Sequence, residues 1–483
     1  LKYRGEEPIK YLGDVNTSPF LLQFFCLVLV IWIIMNKELL KLFDIKDESV
    51  NSFFIDHKDS LYEISICFKP SWKCCPNCGS IHFISKGNKK RTLVSTPIND
   101  KPVKMITFVK RYKCLDCNLS FSDINPVAFD DWSFTRIAII SILNKLKPYN
   151  ATYASIARMY GISVTRVVDI FDAFVRIKRH SLPKVLLIDE FHFSRRAKYK
   201  YPAILMNFEN NLIIDIVESR THDIMSDYFF KISLEERKKV EYICTDMSFI
   251  FKPLLKTYFP HSTLLIDHFH VIRLINDQLN HTRKRIMRKY EKNKKSIEYR
   301  LLKHRYKILL KSRNDVDCEV FKHDKILGYH VTENMILEKL LSFDDELKQA
   351  YSAKEEYLIF DQVTKDEVND TDKRKELNDV IKRFKHTQVE ESICVAETLS
   401  HWKEEILNSF IWVNGRRISN GPCEGKNNYI KKILFNANGM TNFQRARNRI
   451  LYSQNKYETY STKEHEDSIK RSCEPRGHYK KIK

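Results

Sequence analysis

The chain holds 483 residues with 82 Lys and Arg against 61 Asp and Glu. The resulting formal charge of +21 excludes an acidic or neutral surface and favours a polyanionic partner, nucleic acid before an anionic membrane surface. The length exceeds one ordinary core and implies about two to four domains, while twelve cysteines, four in two CxxC pairs and the rest scattered through apolar stretches, exclude a disulfide framework and fit a reducing compartment.

Phe20 to Met35 is apolar apart from Gln23, yet it is shorter than the roughly 20 residues that span a bilayer and no small-residue cleavage site follows. The chain begins at Leu1, and Met35-Asn36-Lys37 is the more natural start of a soluble protein. Residues 1–34 therefore read as a hydrophobic extension, either translated upstream sequence or a fragment's edge, with a membrane tether as the competing reading and no membrane partner expected. Residues 35–125 read as a zinc-binding domain. A short strand, Leu61 to Phe68, leads into Cys75-Pro76-Asn77-Cys78-Gly79, and the strand-like Met105 to Tyr112 leads into Cys114-Leu115-Asp116-Cys117. Each CxxC puts two thiolates on one tight turn, so Cys75, Cys78, Cys114 and Cys117 are expected to hold a structural Zn2+ as in a zinc ribbon. Cys74 is a replacement for Cys75 at CxxxC spacing, and His82 is a spare ligand.

Residues 133–180 carry helical spacing. Ile137, Ile140 and Leu143 form one stripe, Tyr153 to Tyr160 a short helix, Gly161-Ile162-Ser163 a tight turn and Val164 to Val175 a second helix with Thr165 and Arg166 exposed. That is the helix-turn-helix arrangement, in which Thr165 and Arg166 would face the DNA major groove. An ordinary helical hairpin with glycine in its turn is the bland alternative.

From residue 183 the pattern changes to strands. Val185 to Ile188 is an apolar run ending at Asp189; Ala203 to Phe208 and Leu212 to Val217 form a hairpin; His222 to Ile232 is a helix. Then follow Val240 to Thr245 ending at Asp246, a helix from Phe249 to Tyr258, and Ser262 to Ile266 ending at Asp267. Strand, hairpin, helix, strand, helix, strand is the ribonuclease-H-like order, a mixed α/β core assigned to 183–275 and 408–455. Residues 276–407 read as a helical basic insertion. Arg283 to Arg313 holds 14 Lys or Arg against Glu291 and Glu298, enough for Arg283, Lys284 and Arg285 to be expected on DNA phosphates. Lys354 to Asp379 reads as exposed helix or loop, and 456–483 as a polar tail.

Glu424 lies in Ser419-Asn420-Gly421-Pro422-Cys423-Glu424-Gly425-Lys426-Asn427-Asn428, where a Gly-Pro break precedes a helical pattern. Two aspartates at neighbouring strand ends and a glutamate on a facing helix suit two Mg2+ ions, or Mn2+, for in-line attack on a phosphodiester. Asp267, His268 and His270 are expected as support for these acids. Trp402 and Trp412 flank the approach to Glu424, where core packing and stacking on an unpaired base are both open; Lys426, Lys431 and Lys432 are expected to meet phosphates.

With these motifs in place the chain resembles the DDE transposases of bacterial insertion sequences, the ISL-three family, over roughly Met35 to Tyr452. The resemblance rests on the CPxCG knuckle at Cys75, Ile188-Asp189-Glu190, Thr245-Asp246, Asp267-His268-Phe269-His270-Val271, and Ser419-Asn420-Gly421 to Asn427 with Gly439, Asn442-Phe443 and Arg447 to Ile450 behind it. It implies a multidomain α+β protein, a catalytic triad of Asp189, Asp246 and Glu424, and helices inserted between the second and third acids. It also implies binding of element ends and target DNA by a homodimer or larger synaptic assembly in the bacterial cytoplasm at the nucleoid, with strand cleavage and strand transfer. The N-terminal extension departs from the pattern, as does Cys423, where a small polar residue is expected. A zinc-finger and helix-turn-helix regulator with an inactive core is the alternative from another class.

Overall fold

The computed structural model describes residues 39–58, 60–362, 370–437 and 439–462, so Phe20 to Met35 and the tail beyond residue 462 lie outside the described residues. Among the described residues no helix is long and apolar enough to cross a membrane. The protein is mixed α/β and divides into two compact units, one running to Lys178 and resuming at Lys432, the other Arg179–Lys431.

The first unit opens with a sheet of β1 (Val50–Lys58), β2 (Leu61–Phe68), β3 (Phe83–Ile98) and β4 (Lys101–Cys114) in the order β1-β2-β4-β3, with β5 (Ser120–Ser122) on β4. Alternation buries Ile64, Ile66, Leu93, Val103 and Met105 on one face. The β3–β4 hairpin turns at Asn99-Asp100, both at positive φ (47° and 58°), the geometry a two-residue hairpin turn needs. The strand expected over Leu61 to Phe68 is β2, while of this hairpin only part of β4 is legible in the sequence, because β3 from Ser85 to Lys90 is exposed and carries no apolar alternation.

Three helices follow: α1 (Arg136–Leu146), α2 (Tyr153–Tyr160) and α3 (Val164–Phe174). Thr152 and Ser155 form a reciprocal capping box on α2, and the Ser163 hydroxyl caps α3. Gly161 ends α2 at φ +63°, where an added Cβ would also come within 3.0 Å of the Pro102 ring. This glycine is required by both conformation and space.

The second unit is built on β6 (Val185–Glu190), β7 (Ala203–Asn207), β8 (Ile213–Val217), β9 (Tyr242–Thr245) and β10 (Thr263–Ile266), ordered β10-β9-β6-β7-β8. β6, β7 and β8 are antiparallel neighbours, while β9 is parallel to both β6 and β10. Helices cover both faces, which is why Val185 to Ile188 are all buried and read as a continuous apolar run. On one side α4 (His222–Phe230) and α5 (Phe251–Tyr258) bring Met225, Phe229, Leu254 and Leu255 onto Leu186, Ile188 and Leu205. On the other, α6 (His268–Lys289) packs Val271 and Ile275 with residues of α7 (Asp345–Asp361), α8 (Asp370–His386) and α9 (Glu390–His401).

The stretch from Lys354 to Asp379, expected to be exposed, instead supplies core. Tyr357, Phe360 and Leu377 are buried, and so is Lys354, whose ammonium donates to the carbonyls of Leu309 (2.9 Å) and Lys311. A charged side chain is tolerated inside when main-chain acceptors replace its water. The segment 408–455, expected to belong wholly to the catalytic core, is divided. It continues through α10 (Gly421–Asn436) to α11 (Phe443–Gln454), and α11 is anchored in the first unit. Arg445 there pairs bidentately with Asp172, Arg447 donates to the Ile177 carbonyl at 2.8 Å, and the Tyr452 hydroxyl donates to Leu143 at 3.2 Å.

Candidate active site and metal centre

Two loops bring four sulfurs together in the first unit. Cys75 Sγ lies 3.6 Å from Cys117 Sγ and Cys78 Sγ 3.6 Å from Cys114 Sγ, and all four are mutually within 4.8 Å. Tetrahedral Zn–S bonds of about 2.3 Å separate the sulfurs by roughly 3.8 Å, so the donor set is compatible with a structural zinc. The turns are made locally: Gly79 N–H donates to Cys75 O, Cys75 N–H to Ser80 O and Cys114 N–H to Leu119 O, with Gly79 and Asn118 at positive φ. The backbone amide of Leu119 and the Asn77 side chain pull the Cys117 thiol down to about 6. Cys74 is exposed and outside the cluster, and His82 is instead 3.5 Å from Asp116.

The acids lie in the second unit. Asp189 is in β6 opposite Ile204, and Asp246 directly follows β9, the parallel neighbour of β6. Parallel neighbours end at the same edge, so both carboxylates come to the carboxyl edge of the sheet. Asp189 is only 8% exposed; it accepts from the Glu190 N–H at 2.8 Å and from Asn427 Nδ2 at 2.9 Å. Burial, reinforced by the charge of Asp246, pushes Asp189 up to about 6, and burial with Glu190 raises Asp246. Arg220 lowers Asp246 through space but is itself paired with Glu190.

Glu424 is exposed in the first turn of α10. That turn is bonded to the end of β6: Asn420 Nδ2 donates to Ile188 O at 3.1 Å, and Asn427 Nδ2 reaches the Glu190 carbonyl at 3.3 Å besides Asp189. Residues three apart share a helix face, so Glu424 is on the side of α10 that Asn427 turns to the strand. Cys423, where a small polar residue was expected, is fully buried; burial drives its thiol up, and Asp189, Cys244, Asp267 and Glu424 all act on it. Asp189 and Asp246 thus share one edge of the sheet, with the helix that carries Glu424 bonded to it, and the three carboxylates do not reach the mutual 4.8 Å of the thiols among the described residues.

Asp267 is fully buried and caps α6 by accepting from the Phe269 N–H at 3.4 Å. Its other oxygen is 3.3 Å from His270 Nδ1, and this contact first, then Asp246 and Asp189, raises the imidazole. His268 engages a different carboxylate, Asp361, at 3.0 Å, which also accepts from Arg417 at 2.8 Å. Trp402 is entirely buried in the core, which leaves it no face for a base; Trp412 is half-buried on a short strand.

Thr165 and Arg166 are exposed in the first turn of α3. Arg283, expected on phosphates, is a correction: it is 6% exposed, with Nε donating to Asn280 Oδ1 at 2.7 Å and Nη1 to the Leu302 carbonyl at 2.6 Å. Helical phase turned it inward, which a count of charges does not register. Arg285 is held between Glu391 (2.9 Å) and Glu346 (2.6 Å), while Lys284 is exposed. Lys431 is exposed, the half-buried Lys426 is lowered by desolvation, and Lys432 lies over the Tyr149 ring at 5.7 Å.

Asn420 and Asn427 stand in the motif around Glu424, where the sequence alone assigns them no role. Their signal was position, four residues before Glu424 and three after it. Glu190 stands in the Ile188-Asp189-Glu190 motif without a role and Arg220 is not singled out; nothing in the sequence pairs residues thirty apart. Residues 186–450, more than half the chain, match a family described as Transposase, the DDE transposases of the ISL3 type. No curated protein matches the chain.

Proposed function

Since the chain belongs to the ISL3-family DDE transposases, we propose that it binds the ends of an insertion sequence and carries out strand cleavage and strand transfer there through Asp189, Asp246 and Glu424. The observation that carries this reading is the bond from Asn427 to Asp189 at 2.9 Å, which fixes the helix of Glu424 on the strand edge that holds both aspartates. The order β10-β9-β6-β7-β8 supports taking the second unit as a ribonuclease-H-like core, with helices inserted before α10.

The acids fit a divalent metal. Two neighbouring carboxylates, both raised by burial, gain from a cation that neutralises them, and oxygen donors suit hard ions. A bound Mg2+ or Mn2+ pair would activate the attacking oxygen and offset charge on the leaving one. Within the chain, Asn427 orients the Asp189 carboxylate, and Asp267 holds His270 beside the two aspartates. In cleavage the bond from phosphorus to O3′ at the element end is exchanged for one to water, leaving a free 3′-OH. That hydroxyl then displaces O3′ of a target strand.

Recognition falls to the first unit. Exposed Thr165 and Arg166 on a capped second helix support a helix-turn-helix reading, and the four thiols support a zinc ribbon ahead of it. Pairing two ends calls for a dimer or larger assembly. The test is purified full-length protein with Mg2+ on DNA carrying the sequences that flank its gene: nicking at those ends is expected, abolished by chelator. Sequence-specific binding with no nicking at any Mg2+ or Mn2+ concentration would instead favour a regulator with an inactive core.

A further inference from the structure

The twelve residues that join β6 to β7 begin directly after Asp189 and Glu190 and are not a slack loop. The strand ladder continues into them, with Phe191 N–H donating to Pro202 O at 3.3 Å and Phe193 N–H to Lys200 O at 2.8 Å, and a tight turn closes where Ala197 N–H donates to Ser194 O at 3.3 Å. Period-two alternation buries Phe191 and Phe193 and leaves His192 outside. The base is tied down as well: Tyr201 O accepts from Arg220 N–H at 3.0 Å, the Arg220 guanidinium lies over the Tyr201 ring, and Arg220 pairs with Glu190. This is an anchored hairpin extending the edge that carries Asp189.

Its tip and returning strand hold Arg195, Arg196, Lys198 and Lys200, all exposed. Elsewhere in this unit cations meet carboxylates, as in the half-buried Arg285 with Glu346 and the exposed Arg313 with Glu338 and Arg374 with Glu404. On the hairpin, among the described residues, none of the four has an acidic partner, and Lys198 lies only over the Tyr199 ring at 4.9 Å. Four like charges repel one another and gain no ion pair within the chain, so their arrangement favours an external anion. Asp189 to Arg195 is six residues, roughly 20 Å of extended chain, a reach that suits a nucleic-acid backbone passing the acids rather than a single small anion.

We propose that the β6–β7 hairpin is a phosphate clamp: Arg195, Arg196, Lys198 and Lys200 grip the backbone of duplex DNA beside the cleavage site. The proposal rests on the transposase reading and adds a contact surface outside the helix-turn-helix. Because the contacts are to phosphates, they add affinity and positioning without sequence preference. The hairpin is pre-organised by Phe191 and Phe193, so little ordering entropy is lost on binding.

The experiment measures binding of the full chain to a random-sequence duplex across salt concentrations, for wild type, for the quadruple alanine variant and for R195K/R196K. Each phosphate contact contributes about 0.9 to the slope of log K against log salt. The alanine variant should therefore lower the slope by roughly 3 to 4, while R195K/R196K should keep it. Amine-reactive labelling provides a second reading. DNA should protect Lys198 and Lys200 but not the exposed Lys325 on the insertion. An unchanged slope, or equal labelling of Lys198 and Lys200 with and without DNA, overturns the clamp while leaving the transposase reading in place. Absence of salt-dependent binding by the wild type overturns both.

Discussion

The thiol cluster and the acid cluster are opposite solutions to gathering ligands. Cys75, Cys78, Cys114 and Cys117 are closed by turns whose hydrogen bonds lie within a few residues of each sulfur, and the sulfurs are already at metal-binding distances. Asp189, Asp246 and Glu424 come from two strand ends and a helix far apart in sequence and stay farther apart, and Asn420 and Asn427 bond that helix to the end of β6. A closed site contributes folding free energy; an open one keeps room for substrate and keeps like charges close at a cost to stability.

Breaking the closed site should have the largest effect. Structural zinc contributes on the order of 10 kcal/mol to small zinc domains, so Cys78→Ser should abolish stoichiometric zinc in metal analysis and the cooperative unfolding of the first unit. Retained zinc in that variant would contradict the four-thiolate assignment. Next in size, Asn427→Ala should slow nicking by about 10- to 100-fold, as loss of a group that orients a ligand does, while zinc content stays intact. A rate equal to wild type would remove Asn427 from the site.

The open site should also reveal its stability cost. Asp189 moves from 3.8 to about 6 on folding, so the native state holds its proton longer than the unfolded chain and stability falls as pH rises through the window from about 4 to 6. That shift corresponds to at most roughly 3 kcal/mol above the window, and a lost hydrogen bond subtracts about 1 kcal/mol. In chelator at pH 7, Asp189→Asn should therefore be more stable than wild type by about 1 to 2 kcal/mol, with the gain gone below pH 4. Denaturant titration at both pH values checks the sign. The smallest effect is expected in the helix pair, where Gly161→Ala should cost about 1 to 2 kcal/mol, seen as a lower melting temperature of the first unit.

The two clusters also differ in how readable they were. The thiols were legible from spacing alone, because CxxC carries its own turn. Asp189 and Asp246 were legible because fully covered strands appear as apolar runs, and Glu424 because Gly421-Pro422 announces a helix start. What escaped was set by long-range contact. β3 hides as a strand because its outer half is lysine-rich and exposed. Lys354 and Asp361 look like surface residues until the Leu309 carbonyl and Arg417 meet them, and 408–455 reads as one core segment until Asp172 and the carbonyls of α1 and of the segment after α3 take the donors of Arg445, Arg447 and Tyr452. The basic run from Arg283 misled for a related reason: charge density says nothing of helical phase, and Arg283 faces the core.

The central claim is that the acids cut and the first unit aims. It is tested most directly by Asp189→Asn on DNA carrying the flanking ends, with nicking and end binding measured on the same preparation in Mg2+. The expected result is nicking reduced below detection with end binding within a factor of about two of wild type, since Asp189 is only 8% exposed and offers little surface to DNA. Nicking at the wild-type rate would contradict the account.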